Sequence, residues 1–526
     1  MLEKHIRLLD CTLRDGGHIN QGQFGEIAIK NIIERLVEAG IDIIEVGFLW
    51  DKVYGTDTAR YFTIADVKRI LPKNHGSSKF SLMADFIDLE HLEPCDGTIE
   101  IIRLSFKRSR WEWALKTARI LMDKGYKVFI NPVNNNVYSD KEYLECLDKV
   151  NELHPYGFSI VDTFGVMRLS DLSHRYFLVE NNLKKDITIG LHLHENLGLA
   201  FSLAQNYLEI TSPTRNIVID GSLLGMGRVP GNLCIEQMME HLNECYGVGY
   251  ATEPVYDAID DYIAPIKRSV DEPWGYATPY ALSAKYNLHR TYAEYLMGKQ
   301  RLKTKDIQRI LQQIDQREAE LFNEAYVEDL YLKYMDVAYD DAMDFKLLTS
   351  KINRYDRIVV IAPGKSIIAA EKMIKNLQDG RACFISVNFC PGFLEEKDSI
   401  IFLTNMKRYD SIRLLKGKRT IIISSNLIRD IDDKDYVVNY NSLIYFKDER
   451  CEDSTLMLLS LLLKLGVNKV SIAGFDGFRS SKFDFFDQQF DCNEKRTSKV
   501  KTVRKILSTA LRNIELEFLT ESEYRD

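Results

Sequence analysis

The 526 residues are 45% hydrophobic and 28% charged, a balance typical of folded protein, and they are too many for one core, so two or three domains are expected. The formal charge of -8 argues against a nucleic-acid binder, which needs a dense basic face, and leaves room only for local basic patches. No apolar run approaches the roughly 20 residues of a membrane span, MLEKHIRLLD lacks a signal-peptide layout, and nine scattered cysteines with no C-x-x-C pair suit reduced thiols; a cytoplasmic protein with no membrane span is expected.

In chain order, the first 250 residues alternate strand-like apolar runs with amphipathic helical stretches. The predicted strands are IRLLDCTL (6–13), IDIIEVGF (41–48), KFSLMADF (79–86), TIEIIRLSF (98–106), YKVFINPV (126–133), GFSIVDTF (157–164), ITIGLHLH (187–194) and NIVIDGSL (216–223). Between the first two, Ile29, Ile32, Ile33, Leu36 and Val37 form one helical stripe, and Gly40 stands where a C-cap glycine belongs. Eight β-α units in about 250 residues predict an α/β fold, a (β/α)8 TIM barrel over 1–250, with an open doubly wound sheet as the alternative. Residues 251–345 hold long amphipathic stretches without strand candidates and are expected to be a helical extension packed on the barrel. The β-α rhythm resumes near Arg354, through RIVVIAPGKS, ACFISVNF, SIIFLTN, RTIIISSN, SLIYF, KVSIAGFDG and IELEFLT, and predicts a second, Rossmann-like α/β domain over 350–526.

The catalytic face of a barrel lies at the C-terminal ends of its strands. Arg14, Asp15 and His18 follow the first strand, and His192 and His194, two residues apart in the seventh, project to one side. With a carboxylate from Asp15, or from Asp10, they would present a two-histidine, one-carboxylate face to a divalent metal. After the eighth strand GMGRVPGN offers tight glycine turns and the amide of Asn232.

The set L-R-D-G, I-E-V-G-F, H-L-H-E-N and G-M-G-R-V-P-G-N resembles the motifs of the DRE-TIM metallolyase superfamily, the HMG-CoA lyase-like or pyruvate carboxyltransferase domain, over roughly residues 5–250. The resemblance implies a divalent metal on Asp15, His192, His194 and Asn232, with Mn2+ or Mg2+ ahead of Zn2+ or Co2+, and Arg14 stabilising an enolate. His18 stands where 4-hydroxy-2-oxoacid aldolases carry their catalytic histidine, in contrast to the R-D-G-x-Q of isopropylmalate-type synthases. The HMG-CoA lyases have a cysteine in the loop where this chain has none before Cys234. Downstream, WGYATPYALSAKYNLH resembles the tyrosine-bearing segment of the aldolases, with Tyr276 and Tyr280 as catalytic candidates and core packing as the alternative for both. Glu45, Arg103, Asp162 and Thr163 are the substrate-binding candidates. For Glu45 and Arg103 a buried ion pair is the competing role.

The expected activity is therefore a metal-dependent aldolase joining pyruvate to an aldehyde, or cleaving such a product, in a homodimer. The rivals are an acyl-CoA-dependent synthase of the isopropylmalate type and a non-catalytic barrel. In the second domain Gly364-Lys365-Ser366 fails as a Walker A motif, because Val359 stands where the first glycine belongs. The turn IAGFDGF places Asp476 at a sheet edge suited to ligand binding. The domain faintly resembles those of surface-glycan glycosyltransferases, which implies a nucleotide or nucleotide-sugar ligand and a role in glycan-precursor synthesis.

Overall fold

The structure is a computed structural model. It describes residues 5–525 except 53, 86, 135–136, 271–272, 410–411, 413–416, 433, 446–449 and 478–495, with the backbone alone at 496–498. The chain divides into two compact units, one running to Arg290 and including Gln316–Leu321, the other comprising Thr291–Asp315 and everything from Phe322 onward. The helical stretch after the barrel is shared between them. Glu253–Ala258, Ala264–Ser269 and Thr278–Lys285 belong to the first unit, and Thr291–Gly298, Thr304–Leu311, Glu324–Met335 and Ala342–Ile352 to the second.

The first unit is a closed parallel barrel of β1 (Ile6–Asp10), β2 (Ile43–Leu49), β3 (Lys79–Asp85), β4 (Ile101–Phe106), β5 (Lys127–Pro132), β6 (Gly157–Val161), β7 (Thr188–His192) and β8 (Ile217–Gly221). β1 closes it by pairing with β8 from Ile6↔Ile217 to Asp10↔Gly221 and with β2 at Leu9↔Ile43 and Asp10↔Ile44. Helices α1 (Glu26–Glu38), α2 (Ile64–Lys68), α3 (Trp111–Asp123), α4 (Asp140–Leu153), α5 (Leu169–Asn182), α6 (Ala200–Ile210) and α7 (Ile235–Tyr246) surround it, while the described residues between β3 and β4 form no helix. α1 buries the stripe Ile29, Ile32, Ile33 and Leu36 and ends before Gly40, whose φ of +76° suits the residue that closes a helix.

Several strands stop short of their apolar runs. β1 ends at Asp10 because its carboxylate accepts hydrogen bonds from the Thr12 amide (3.0 Å) and hydroxyl (2.7 Å), which turns the chain. Asp15 lines the barrel cavity and groups with His192, whereas Asp10 does neither among the described residues. β2 carries an irregularity between Glu45 and Phe48. There Gly47, at φ +150°, lies so close to the neighbouring segment that a Cβ would sit 2.2 Å from the Ala59 carbonyl oxygen.

The inner wall is layered by the two-residue period of the strands. Leu9, Ile43, Ile101, Phe129 and Val218 form an apolar plug. Two residues further along the same strands or just past them come Cys11, Glu45, Arg103, Asn131 and Asp220, all buried. Leu191 and Leu193 pack outward with the helices, leaving His192 and His194 to the interior.

The second unit is a seven-stranded parallel sheet of β9 (Arg357–Ile361), β10 (Ala382–Val387), β11 (Ser399–Leu403), β12 (Thr420–Ser424), β13 (Tyr436–Val438), β14 (Lys469–Ala473) and β15 (Glu515–Phe518), in the order β13-β12-β11-β10-β9-β14-β15. SLIYF, read as a strand, is corrected: its start lies in the short helix Tyr440–Leu443, capped by the Asn439 side chain on the Ser442 amide, and the edge strand is the preceding YVV. The last residue of the predicted third barrel strand, 86, the end of the IAGFDGF turn, 478, and the first residue of the basic stretch KRTSKVKTVRK, 495, lie outside the described residues; the rest of that stretch falls in the helix Arg496–Thr509.

Candidate active site

A cavity of about 360 Å³ opens at the C-terminal ends of the barrel strands, and Arg14, Asp15, His18, Thr163, His192 and His194 line it. The turn after β1 delivers the first three. The Asp15 amide donates to the Cys11 carbonyl (2.7 Å), and a short 3-10 turn over Gly16–His18 follows. Nε2 of His192 lies 3.3 Å and Nε2 of His194 3.7 Å from the same oxygen, Asp15 Oδ2. Each imidazole is fixed from behind: Nδ1 of His192 is 3.0 Å from Asp220 Oδ2, and Nδ1 of His194 is 2.8 Å from the Asp162 carbonyl oxygen. A carboxylate and a carbonyl only accept, so both Nδ1 atoms carry the hydrogen when neutral and both Nε2 atoms keep a lone pair toward Asp15.

Beneath the cavity the buried charges close into a ring. Asp15 contacts Arg14 Nη1 (3.3 Å); Arg14 Nε donates to Glu45 Oε2 (2.6 Å); Arg103 Nη1 donates to the same oxygen (3.2 Å) and its Nη2 to Asp220; Asp220 holds His192, which returns to Asp15. Acids and bases alternate throughout. Burial alone would push the Asp15 carboxyl up, but Arg14, His192 and His194 hold it well below the usual carboxylate range. Burial likewise opposes charge on Asp220 and on His192, and their ring partners reverse it, lowering the first and raising the second. Both guanidinium groups are pushed up by the carboxylates against the effect of burial.

The donor atoms fit a divalent metal. Asp15 Oδ2 and Asn232 Oδ1 are buried without a hydrogen-bond partner, and Asn232 is tied to His194 by a backbone bridge while its Nδ2 donates to the Met226 carbonyl (3.0 Å). Gly227 makes room for that amide, since a Cβ there would lie 2.4 Å from Asn232 Nδ2. Cys11 Sγ also falls within 4.8 Å of donor atoms on Asp15 and His192. Its thiol donates to the Gly221 carbonyl and burial raises it well above its ordinary value, so the carboxylate and imidazoles are the better donors.

The other candidates separate. His18 stands at the wall with Nε2 3.6 Å from Asp15 Oδ1 and its ring edge-on to Phe48; partial burial, reinforced by Arg228, Arg14 and Arg290, pushes it down to about 4 and keeps it neutral. Thr163 faces the cavity and accepts from the Asn134 amide (2.8 Å). Glu45 and Arg103 lie in the ring below and do not line the cavity. Asp162 caps the Val166 and Met167 amides, and burial pushes its carboxyl up to about 6. Tyr280 is buried in its helix, Tyr276 is 63% exposed, and neither lines the cavity.

Sequence reasoning missed Asp220, Asn131, Lys107, Arg228, His289 and Arg290, although Val218-x-Asp220 and Phe129-x-Asn131 repeat the inward step of Ile43-x-Glu45.

A parallel barrel with acidic and imidazole donors gathered at its C-terminal face defines the class of barrel enzymes. Residues 102–254, within the first unit, match the HMGL-like family. The chain is similar to 4-hydroxy-2-oxovalerate aldolase of Geobacillus genomosp. 3, 24% identical over 281 residues, 51% of this chain and 80% of that one. It is also similar to 4-hydroxy-2-oxovalerate aldolase 5 of Rhodococcus opacus, 26% identical over 274 residues, 50% and 75% of the two chains. Hydroxymethylglutaryl-CoA lyase of Pseudomonas aeruginosa is a solved neighbour with a TM-score of 0.41 and 15% identity, covering 56% of this chain and 97% of that one.

Proposed function

We propose that the barrel is a divalent-metal-dependent aldolase of the 4-hydroxy-2-oxoacid type, making or breaking a C–C bond between pyruvate and an aldehyde. The observation that carries it is the convergence of Asp15, His192 and His194 Nε2, Arg14 and a neutral His18 on one cavity. Asp15, His192, His194 and the Asn232 amide would hold the cation, Mn2+ or Mg2+, which supplies fixed positive charge against the carboxylate and ketone of a 2-oxo acid. Arg14 Nη2 is buried without a hydrogen-bond partner and is the donor available for an enolate oxygen. In the cleavage direction His18 accepts the proton of the 4-hydroxyl, the C3–C4 bond breaks as the aldehyde C=O forms, and the released pair becomes the C2–C3 double bond of the pyruvate enolate. Protonation of C3 then yields pyruvate. Thr163 and Asn131 are polar groups placed to orient the 2-oxo acid.

The second unit's cavity of about 380 Å³ lies at the C-terminal ends of β9, β10, β11 and β14, where the strand order reverses, and supports the reading of a nucleotide or nucleotide-sugar ligand in glycan-precursor synthesis. Its Ser366 amide is already capped by Asp476 (2.8 Å), so the phosphate does not sit at that helix start. The test of the barrel reading supplies Mn2+ or Mg2+ with 4-hydroxy-2-oxo acids and follows pyruvate, then acetyl-CoA with a 2-oxo acid and follows free CoA. Pyruvate release is expected. CoA release alone would instead establish a synthase, and neither, with no metal retained, a binding protein. Size-exclusion with light scattering tests the homodimer.

A further inference from the structure

Above the Asp15 and Arg14 layer the mouth of the barrel cavity changes character. Lys107, just past the end of β4, Arg228, in the glycine-rich loop after β8, and Arg290 line it together with His289. The side chains of Lys107 and Arg228 form no hydrogen bond or ion pair within 4.0 Å among the described residues, and both are exposed. Arg290 is anchored by its Nη1 on the Val229 carbonyl (2.7 Å), which holds its side chain against the cavity. Partial burial, and after it the positive charges of Arg228, Arg290 and Lys107, push His289 down to about 4 and keep that imidazole neutral. The same cavity is also lined by two carboxylates, Asp85 at the end of β3 and Glu320. Burial raises the Asp85 carboxyl and Lys107 opposes that rise without reaching ion-pair distance. The carboxylates at the base are paired within the ring, so the mouth carries three cations against the two carboxylates Asp85 and Glu320. The volume, about 360 Å³, lies in the range that encloses a ligand well larger than pyruvate with a two-carbon aldehyde.

We infer that the mouth is an anion subsite, and that the aldehyde partner carries a distal carboxylate or phosphate held by Lys107, Arg228 and Arg290. This rests on the aldolase reading of the same cavity. A small apolar aldehyde would leave two unpaired cations facing it, whereas a terminal anion gives each of them a charge-assisted hydrogen bond. The 2-oxo acid occupies the base and the anion the rim, so the subsite selects the acceptor and leaves the enolate chemistry to Arg14 and His18.

The test separates the two layers. Oxaloacetate decarboxylation in the presence of Mg2+ yields the same pyruvate enolate with no aldehyde, so it reads the base alone. Aldol addition of pyruvate is then compared between glyceraldehyde 3-phosphate and glyceraldehyde, and between succinic semialdehyde and butanal. One charged member should exceed its neutral partner by about 10- to 100-fold in kcat/KM, the effect of a hydrogen bond to a charged group. The arm that shows it tells phosphate from carboxylate. In Lys107→Gln/Arg228→Gln the ratio should collapse toward one, with the neutral aldehyde in the same variant as the control for folding. Decarboxylation with charged and neutral aldehydes equal, or a ratio that survives the double substitution, overturns the anion subsite while leaving the aldolase reading intact. Absence of both decarboxylation and addition overturns the aldolase reading and the subsite with it.

Discussion

Arg103→Met tests whether the charge ring is structural. Arg103 is 1% exposed and, among the described residues, bonds directly to both Glu45 and Asp220, so replacing it with an apolar side chain of similar length leaves two buried carboxylates short of a partner. They are not equally affected. Glu45 keeps Arg14 Nε at 2.6 Å, while Asp220 is left with His192 alone, so most of the cost falls on Asp220. Breaking a buried pair in this way costs about 3–5 kcal/mol, a large part of the 5–15 kcal/mol that stabilises a typical domain. All four tryptophans, Trp50, Trp111, Trp113 and Trp274, lie in the barrel unit, so their fluorescence in a urea titration reports that unit selectively. Adding Asp220→Asn removes the stranded charge, and the double variant should recover at least about half of the loss by the logic of coupled sites. A single variant destabilised by less than about 1 kcal/mol, or a double variant less stable than the single, would refute the ring as a unit of mutual compensation.

Asp220→Asn alone should weaken Mn2+ binding by about 10- to 100-fold, the usual effect of losing the group that orients a ligating histidine. Calorimetric titration of the metal-free protein checks it, with far-ultraviolet circular dichroism unchanged. Arg14→Ala should lower turnover by about 10²- to 10³-fold, the loss of one enolate-stabilising donor, measured as pyruvate release at saturating metal. Asp10 is pushed from 3.8 up to about 7 by burial, which outweighs its bonds from Thr12. Because the folded carboxyl is the weaker acid, its contribution to stability is full below pH 4 and is lost as pH rises to 7, of the order of 4 kcal/mol at about 1.4 kcal/mol per pH unit. Asp10→Asn should flatten the urea stability profile between pH 5 and 7 relative to wild type. Tyr276→Phe, at a side chain 63% exposed and away from the cavity, should keep turnover within about twofold.

The barrel was legible because each strand is a contiguous apolar run and α1 writes its buried face at helical spacing. The base of the site was legible because Arg14, Asp15, His192 and His194 fall at or just past strand ends, where geometry alone directs them to one place. What could not be read is whatever depends on pairs distant in sequence. Nothing in IIRLSF distinguishes an Arg103 that meets substrate from one that bridges β2 and β8; only closure of β1 onto β8 brings Asp220 within reach of it. The mouth was invisible for the same reason: Lys107, Arg228 and Arg290 stand on three separate loops and share no motif. The edge strand β13 was missed because three residues carry too little period, while SLIYF, apolar and longer, drew the assignment.

The ring also explains how residues that never face the cavity bear on its chemistry. A guanidinium has several donors, and with Glu45 on Nε of Arg14 and Asp15 on Nη1, Nη2 is left without a hydrogen-bond partner, the donor the proposed reaction assigns to the enolate oxygen. Asp220 does the same to His192, consuming Nδ1 so that Nε2 remains for the Asp15 side. Arg103 ties these two acts together through shared carboxylates, and on the proposed reading Glu45 and Arg103, which do not line the cavity, act by positioning Arg14 and His192. Their removal should therefore alter the metal affinity and the enolate step more than the choice of aldehyde, which is the inverse of what the rim cations do.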